Sequence, residues 1–218
     1  MLADADIAEV RIDPRGLKGL LGVPPAAVGI VIFAHGSGSG RLSPRNNHVA
    51  AALRAAGLAT LLLDLLTPAE ESDRHNVFDI DLLAGRLAEA TRWVADRSET
   101  RHLVPGYFGA STGAAAALTA ASHKGSTIAA IVSRGGRPDL AIDVLPQVEV
   151  PTLLLVGSLD GPVIGMNERA LAALGGKKRL IVVEGAGHLF EEPGTMDEVM
   201  RYAADWFLTH LDRPAERS

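Results

Sequence analysis

The sequence predicts an α/β fold: a mostly parallel central sheet of about eight strands with helices on both faces and no substantial cap domain. Two observations predict it. Short runs rich in Val, Ile and Leu alternate with longer Ala-rich stretches of helical period, the order that builds parallel sheets. From Gly29 onward these runs are nearly all apolar instead of alternating, as strands are when helices cover both faces. With 218 residues, 47% of them hydrophobic, the chain suits one such domain, expected over residues 1–218. Aromatic residues make up only 4%, so the core must be built from Ala, Leu, Val and Ile.

The elements follow in order. Ile7–Ile12, the turn Asp13-Pro14-Arg15-Gly16 and Gly19–Val23 read as a hairpin of short alternating strands. The apolar runs Gly29–Ala34, Ala59–Asp64, Leu103–Gly109, Ile128–Ser133, Thr152–Val156 and Leu180–Val183 supply the remaining strands. Helical patterns lie between and after them at roughly 46–56, 79–97, 112–122, 163–174 and 193–211. The polar connection from Thr67 to Asp79 follows a strand end, so it is expected near any active site, and it is too short to form a cap domain.

Composition excludes several functions. The net charge is -5 and no Lys/Arg-rich run occurs, so neither nucleic acid nor an anionic membrane is an expected partner. The Cys count of 0 removes disulfides, thiolate metal sites and a cysteine nucleophile together. No metal and no cofactor are expected. The start, Met1-Leu2-Ala3-Asp4-Ala5-Asp6, carries acid where a signal peptide carries a basic segment, and no apolar run approaches the roughly 18 residues that span a bilayer. A cytoplasmic protein is expected.

In sheets of this kind ligands bind beyond the carboxyl ends of the parallel strands, so chemistry is sought in the segments that follow them. After the strand through Val104–Phe108 comes Gly109-Ala110-Ser111-Thr112-Gly113 and then an Ala run. This is G-x-S-x-G at a strand-to-helix junction, the setting of a nucleophile elbow. The glycines let strand and helix approach around a strained serine, and the helix N-terminus favours developing negative charge. Thr152–Val156 runs into Gly157-Ser158-Leu159-Asp160-Gly161, and Leu180–Val183 into Glu184-Gly185-Ala186-Gly187-His188. Ser111, Asp160 and His188 thus each follow a different strand, in the chain order this motif expects. Ser111 is the candidate nucleophile, His188 the base, and Asp160 the acid that fixes its tautomer.

Other readings compete. A G-x-S-x-G arises by chance in Gly- and Ala-rich chains. Of the other histidines, His102 precedes a strand, His123 and His210 sit at helix C-termini, and His48 lies on the helix after the glycine loop, as a surface group or one that supports the site from behind. His75, in the long polar connection, is the rival base and a possible substrate-binding residue. Asp139 and Asp64 are the alternative acids. The loop His35-Gly36-Ser37-Gly38-Ser39-Gly40 could suggest a nucleotide site, but it holds neither G-x-G-x-x-G nor a Gly-Lys-Ser/Thr ending. In a hydrolase it would offer a backbone N–H facing the one after the nucleophile. The oxyanion hole is therefore assigned to the backbone N–H groups of Ser37 and Thr112, with His35 bracing the loop. Arg134 and Arg137 follow a strand end: either could clamp a substrate carboxylate, or they could pair with Asp139 or Glu191 and pin the loops.

The stretches His35-Gly36-Ser37-Gly38-Ser39, Ser43-Pro44-Arg45-Asn46, Gly106–Gly113, Ser133-Arg134-Gly135-Gly136-Arg137-Pro138-Asp139 and Gly187-His188-Leu189-Phe190-Glu191-Glu192-Pro193 together resemble the dienelactone-hydrolase-like branch of the α/β-hydrolases. The resemblance implies a compact, cofactor-free hydrolase with an open cleft and a triad at Ser111, Asp160 and His188. Dienelactone hydrolases proper use a cysteine nucleophile; the serine here favours ordinary carboxylic esters. The expected function is hydrolysis of small carboxylic esters through an acyl-enzyme, with acyl transfer by the same triad or non-catalytic ligand binding as the alternatives. The expected partner is a small-molecule ester, and assembly as a homodimer is left open.

Overall fold

A computed structural model describes residues 7–212; Met1–Asp6, on which the expected lack of a signal peptide rests, lie outside them. The strands are β1 (Ile7–Ile12), β2 (Leu17–Gly22), β3 (Gly29–Ala34), β4 (Ala59–Leu63), β5 (Val104–Ala110), β6 (Ala130–Arg134), β7 (Thr152–Gly157) and β8 (Lys178–Val183). They form one sheet in the order β1-β2-β4-β3-β5-β6-β7-β8. The hairpin strands run antiparallel to each other and β2 antiparallel to β4, while β4 through β8 are mutually parallel. The mostly parallel eight-stranded sheet is the one the sequence predicts, and among the described residues no second domain stands over its edge.

The helices are α1 (Pro44–Ala55), α2 (Pro68–Glu71), α3 (Arg74–Phe78), α4 (Ile80–Asp96), α5 (Thr112–Ser122), α6 (Gly161–Ala173) and α7 (Thr195–Leu211), with a 3₁₀ segment over Pro138–Gln147. Caps set several starts. Ser43 Oγ accepts from Asn46 N with Pro44 opening α1, and Asp79 accepts from Leu82 N at the start of α4. The Thr67–Asp79 connection, expected as a loop, instead folds into α2 and α3. Thr67 and Glu70 form a reciprocal capping box there, and Glu70 Oε1 accepts from the buried Arg86 of α4 at 2.6 Å.

Side chains of the central strands alternate between two cores. Ile30, Ile32, Tyr107 and Leu154 pack beneath α4, α5 and α6; Val31, Phe33, Phe108 and Leu155 pack beneath α1 and α7. Ten residues of α5, from Thr112 to Ala121, are buried, and its alanines keep it slim against the sheet. Tyr107 can occupy the first core because its hydroxyl shares a 2.6 Å hydrogen bond with Thr91 Oγ1; burial pushes its pKa up to about 12. Among the described residues no helix is long and apolar enough to cross a membrane.

Candidate active site

Because β3 and β5 through β8 are parallel, their carboxyl ends share one edge. That edge carries Ser37 after β3, Ser111 after β5, Arg134 at the end of β6, Asp160 after β7 and His188 after β8. Ser111 lies between β5 and α5 with φ +51° and ψ -122°, a positive-φ conformation that costs a non-glycine residue about 1–3 kcal/mol. Its surroundings hold it there. Its carbonyl accepts from Ala114 N at 3.1 Å and Arg137 N at 3.0 Å. A Cβ at Gly113 would lie 2.1 Å from the Ala34 carbonyl oxygen, and one at Gly109 would lie 2.5 Å from Ala114 Cα. Only glycines allow β3, β5 and α5 to meet this closely around the serine.

His188 is placed by the loop that follows β8. Phe190, at φ +55° and only 1% exposed, is buried in the α1/α7 core. Gly187 N donates to Glu192 Oε2 at 3.0 Å, closing the turn from the other side. His188 Nδ1 lies 2.7 Å from Asp160 Oδ2. A carboxylate oxygen can only accept, so Nδ1 is the donor in this contact and Nε2 is left out of it. The imidazole is 40% exposed and the carboxylate 12%, so the pair has one wet end and one dry end. Ser111 and His188 line the same cleft, of about 240 Å³. Among the described residues no hydrogen bond joins Ser111 Oγ to His188; in free enzymes such contacts commonly tighten only when substrate binds.

The rival residues are held elsewhere. Asp139 takes a bidentate pair from Arg137, at 2.9 and 2.8 Å. Asp64 accepts from Arg41 N and Arg41 Nη1, tying down the glycine loop. His75 is 99% exposed on α3 beside Asp73 and does not line the cleft. His35 is half-buried, and desolvation of its ring holds its pKa below the usual histidine value. Its Nδ1 donates to Gly36 O and its Nε2 accepts from Leu65 N at 3.1 Å, so the neutral ring ties the glycine loop to the segment after β4.

The two residues assigned to the oxyanion hole are in contact. Ser37 N–H donates to Thr112 Oγ1 at 3.1 Å, so the side chain of one partner occupies the donor of the other in the free protein. Behind them a pocket of only about 30 Å³ reaches toward Leu66 and Leu83, with Val77 of α3 on its wall. The Thr67–Asp79 segment thus borders the site, as its position after a strand end suggests.

Of the two candidate substrate-binding arginines, only Arg134 enters the cleft. The residue is 7% exposed, and its Nε and Nη1 are buried without a hydrogen-bond partner. Glu191, one of its expected partners, binds Arg45 at 2.6 Å instead. Arg45, given no role on sequence grounds, also lines the cleft. Its place in the Ser43-Pro44-Arg45-Asn46 run, opening a helix after the glycine loop, is the signal that could have found it. Among the described residues, no group of three or more His, Asp or Glu side chains is set to hold a metal ion.

No family model matches the chain. The dienelactone hydrolase structure from Anabaena variabilis is 53% identical and superposes with a TM-score of 0.91, covering 97% of this chain and 100% of that one. Est1E from Butyrivibrio proteoclasticus, at 14% identity, superposes with a TM-score of 0.78 over 92% of this chain and 98% of its own, a likeness of fold. In two strains of Mycobacterium tuberculosis, a protein provisionally named a phosphoribosyl transferase is 55% identical over 213 residues. That match covers 98% of this chain but only 48% of the relative, so the chain spans about half the length of these mycobacterial proteins. The full-length likeness to the Anabaena protein decides the matter of kinship: the chain belongs to the dienelactone hydrolase family of the α/β-hydrolase fold.

Proposed function

We propose that the chain is a serine hydrolase of small carboxylic esters that works through an acyl-enzyme. The observation that carries this reading is the 2.7 Å His188–Asp160 pair on the cleft that also holds Ser111, a serine at positive φ on a strand-to-helix turn. His188 Nε2 takes the Ser111 hydroxyl proton as Oγ bonds to the ester carbonyl carbon. The carbonyl oxygen becomes an oxyanion facing the N–H groups of Ser37 and Thr112. Its negative charge makes it a stronger acceptor than the neutral Thr112 hydroxyl, so it takes over the Ser37 donor as charge develops. When the tetrahedral species collapses, the alcohol leaves with the proton from His188. Water then repeats the sequence on the acyl-enzyme and frees the acid.

The name carried by the mycobacterial relatives describes proteins about twice this length, and the residues assembled here suit acyl chemistry. The reading keeps a cytoplasmic enzyme that needs no cofactor and acts on a small-molecule ester. It is tested with a fluorophosphonate probe, which should label Ser111 in the wild type and leave Ser111→Ala unlabelled. p-Nitrophenyl acetate should release p-nitrophenol with the wild type alone. Labelling at another residue, or equal turnover by Ser111→Ala, would refute it. Acyl transfer by the same residues would appear as an ester or amide product when an alcohol or amine competes with water.

A further inference from the structure

We propose that the side-chain hydroxyl of Thr112 is a third donor to the oxyanion, alongside the backbone N–H groups of Ser37 and Thr112. The inference rests on the hydrolase reading, which uses only the backbone of this residue, and it makes Thr112 a catalytic residue through its side chain as well.

The hydroxyl is buried and half used. Thr112 is 5% exposed and opens α5 directly after Ser111. Its Oγ1 accepts from Ser37 N at 3.1 Å, and among the described residues its own proton goes to no acceptor. A helical threonine ordinarily gives that proton to a carbonyl one turn back. Thr91 of α4 and Thr209 of α7 do so, to Leu87 O at 2.9 Å and Asp205 O at 2.7 Å. One turn before Thr112 the chain is still β5, whose backbone is paired to β3 on one side and to β6 on the other. That outlet is closed, so the O–H is left free to turn.

The glycine loop lies against the nucleophile: a Cβ at Gly36 would stand 3.0 Å from Ser111 Cβ and 3.7 Å from Ser111 Oγ. The Ser37–Thr112 contact is therefore made beside the reacting serine. Ser37 N has a single proton, and Thr112 Oγ1 stands where it points. An oxyanion accepting that proton approaches from the same side, which brings its oxygen against Oγ1. Two oxygens at such a separation repel unless a proton lies between them. The oxyanion carries none and the hydroxyl carries one that is unused, so the O–H turns onto the oxyanion as it displaces Oγ1 from Ser37 N. No covalent bond changes, and the proton stays on Oγ1. The carbonyl oxygen of the bound ester is a weaker acceptor than the oxyanion, so the third donor favours the transition state over the ground state.

Thr112→Val removes the hydroxyl and keeps the shape, while Thr112→Ser keeps the hydroxyl. On p-nitrophenyl acetate Thr112→Val should lose roughly 10- to 100-fold in kcat, the worth of a hydrogen bond to a charged acceptor, with KM little changed. Thr112→Ser should stay within a few fold of wild type. A trifluoromethyl ketone, which Ser111 converts to a hemiketal oxyanion, gives a spectroscopic readout. The hemiketal oxygen should titrate about one to two pH units higher in Thr112→Val than in the wild type. Should Thr112→Val fail to fold, the wild type still decides. In the crystal structure of its fluorophosphonate adduct, the phosphonyl oxygen should lie within about 3 Å of Ser37 N, Thr112 N and Thr112 Oγ1 together. Oγ1 still seated on Ser37 N, or turned away from the phosphonyl oxygen, overturns the inference. A Thr112→Val enzyme as fast as wild type or faster also overturns it, and makes the hydroxyl a plug in the hole. A Thr112→Ser enzyme as slow as Thr112→Val overturns it too, and gives the role to the methyl group. Each of these results leaves the hydrolase reading standing. A Ser111 that neither labels nor supports ester turnover brings down both.

Discussion

Two alanine substitutions at glycines should have opposite signs, because the fold uses the two positions differently. At Gly113 an added Cβ would meet the Ala34 carbonyl oxygen at 2.1 Å and the His35 carbonyl oxygen at 2.5 Å. Both obstacles are backbone at the end of a central strand, so no side-chain rotation relieves them. Non-bonded contacts to carbon settle at roughly 3.5 Å, so β3 and the start of α5 must part by about 1 Å or more. Overpacking commonly costs about 1–3 kcal/mol, and the unyielding neighbours place this case at about 3 kcal/mol or above. For a chain of this size that corresponds to a fall in Tm of about 6–12 °C. The same displacement moves Ser111 against the proposed oxyanion donors, and a shift of about 1 Å can cost on the order of 100-fold in rate. Gly85, inside α4, has nothing within 4 Å of its virtual Cβ. Gly85→Ala should gain helix propensity of about 0.8–1 kcal/mol and raise Tm by about 2–4 °C, with kcat unchanged. Differential scanning calorimetry and p-nitrophenyl acetate turnover on both variants provide the assay. A Gly113→Ala protein that melts within a degree of the wild type and keeps full activity would refute the tight elbow.

Two further outcomes bear on the catalytic assignment. Asp160→Asn should lower kcat by about 10⁴-fold with little change in Tm, since an amide that presents N–H to His188 Nδ1 selects the wrong tautomer. Asp139→Asn, whose partner is Arg137, should stay within a few fold of wild type; the reverse ranking would transfer the acid role to Asp139. Ser37→Ala keeps the backbone donor and should stay within a few fold. Ser37→Pro removes that donor and should lose about 10²–10³-fold in kcat with a much smaller effect on KM, measured on protein whose folding is checked by circular dichroism. A fully active Ser37→Pro would move the hole to another N–H of the glycine loop.

The fold was legible wherever burial left a hydrophobic signature. β3, β4, β5 and β7 are buried along nearly their whole length, and their apolar runs locate them to within a residue. Errors fall where that signature fails. β8 lies at the open edge of the sheet and begins with the exposed Lys178 and Arg179, so hydropathy starts it at Leu180. β2 starts two residues earlier than its apolar run because Leu17 and Lys18 continue the pairing to Ile12 and Arg11. The 3₁₀ segment Pro138–Gln147 carries Pro146 inside it, a residue that reads as a helix breaker. Strand order, with β4 seated between β2 and β3, is a property of the folded sheet that no local pattern encodes.

At the site, sequence could reach the residues that owe their position to strand ends and could not reach those whose meaning depends on a partner. Ser111, Asp160 and His188 each follow a strand in the same parallel sheet, so topology alone brings them to one edge. Arg134 and Arg137 are three residues apart, follow the same strand and carry the same charge; nothing in the chain separates them. What separates them is solvation. Arg137 reaches Asp139 two positions on, forms a bidentate pair and keeps its side chain 36% exposed. Arg134 is the last residue of β6, so the pleat of a buried strand sets its direction, and its Nε and Nη1 are buried without a hydrogen-bond partner. Glu191, its other expected partner, pairs with Arg45, which comes from a helix nearly ninety residues earlier in the chain. Which guanidinium stays uncompensated is therefore decided by three segments meeting in space. That is why Arg134 and Arg137 part company only in the folded packing, while the candidate nucleophile and base can be read from strand ends alone.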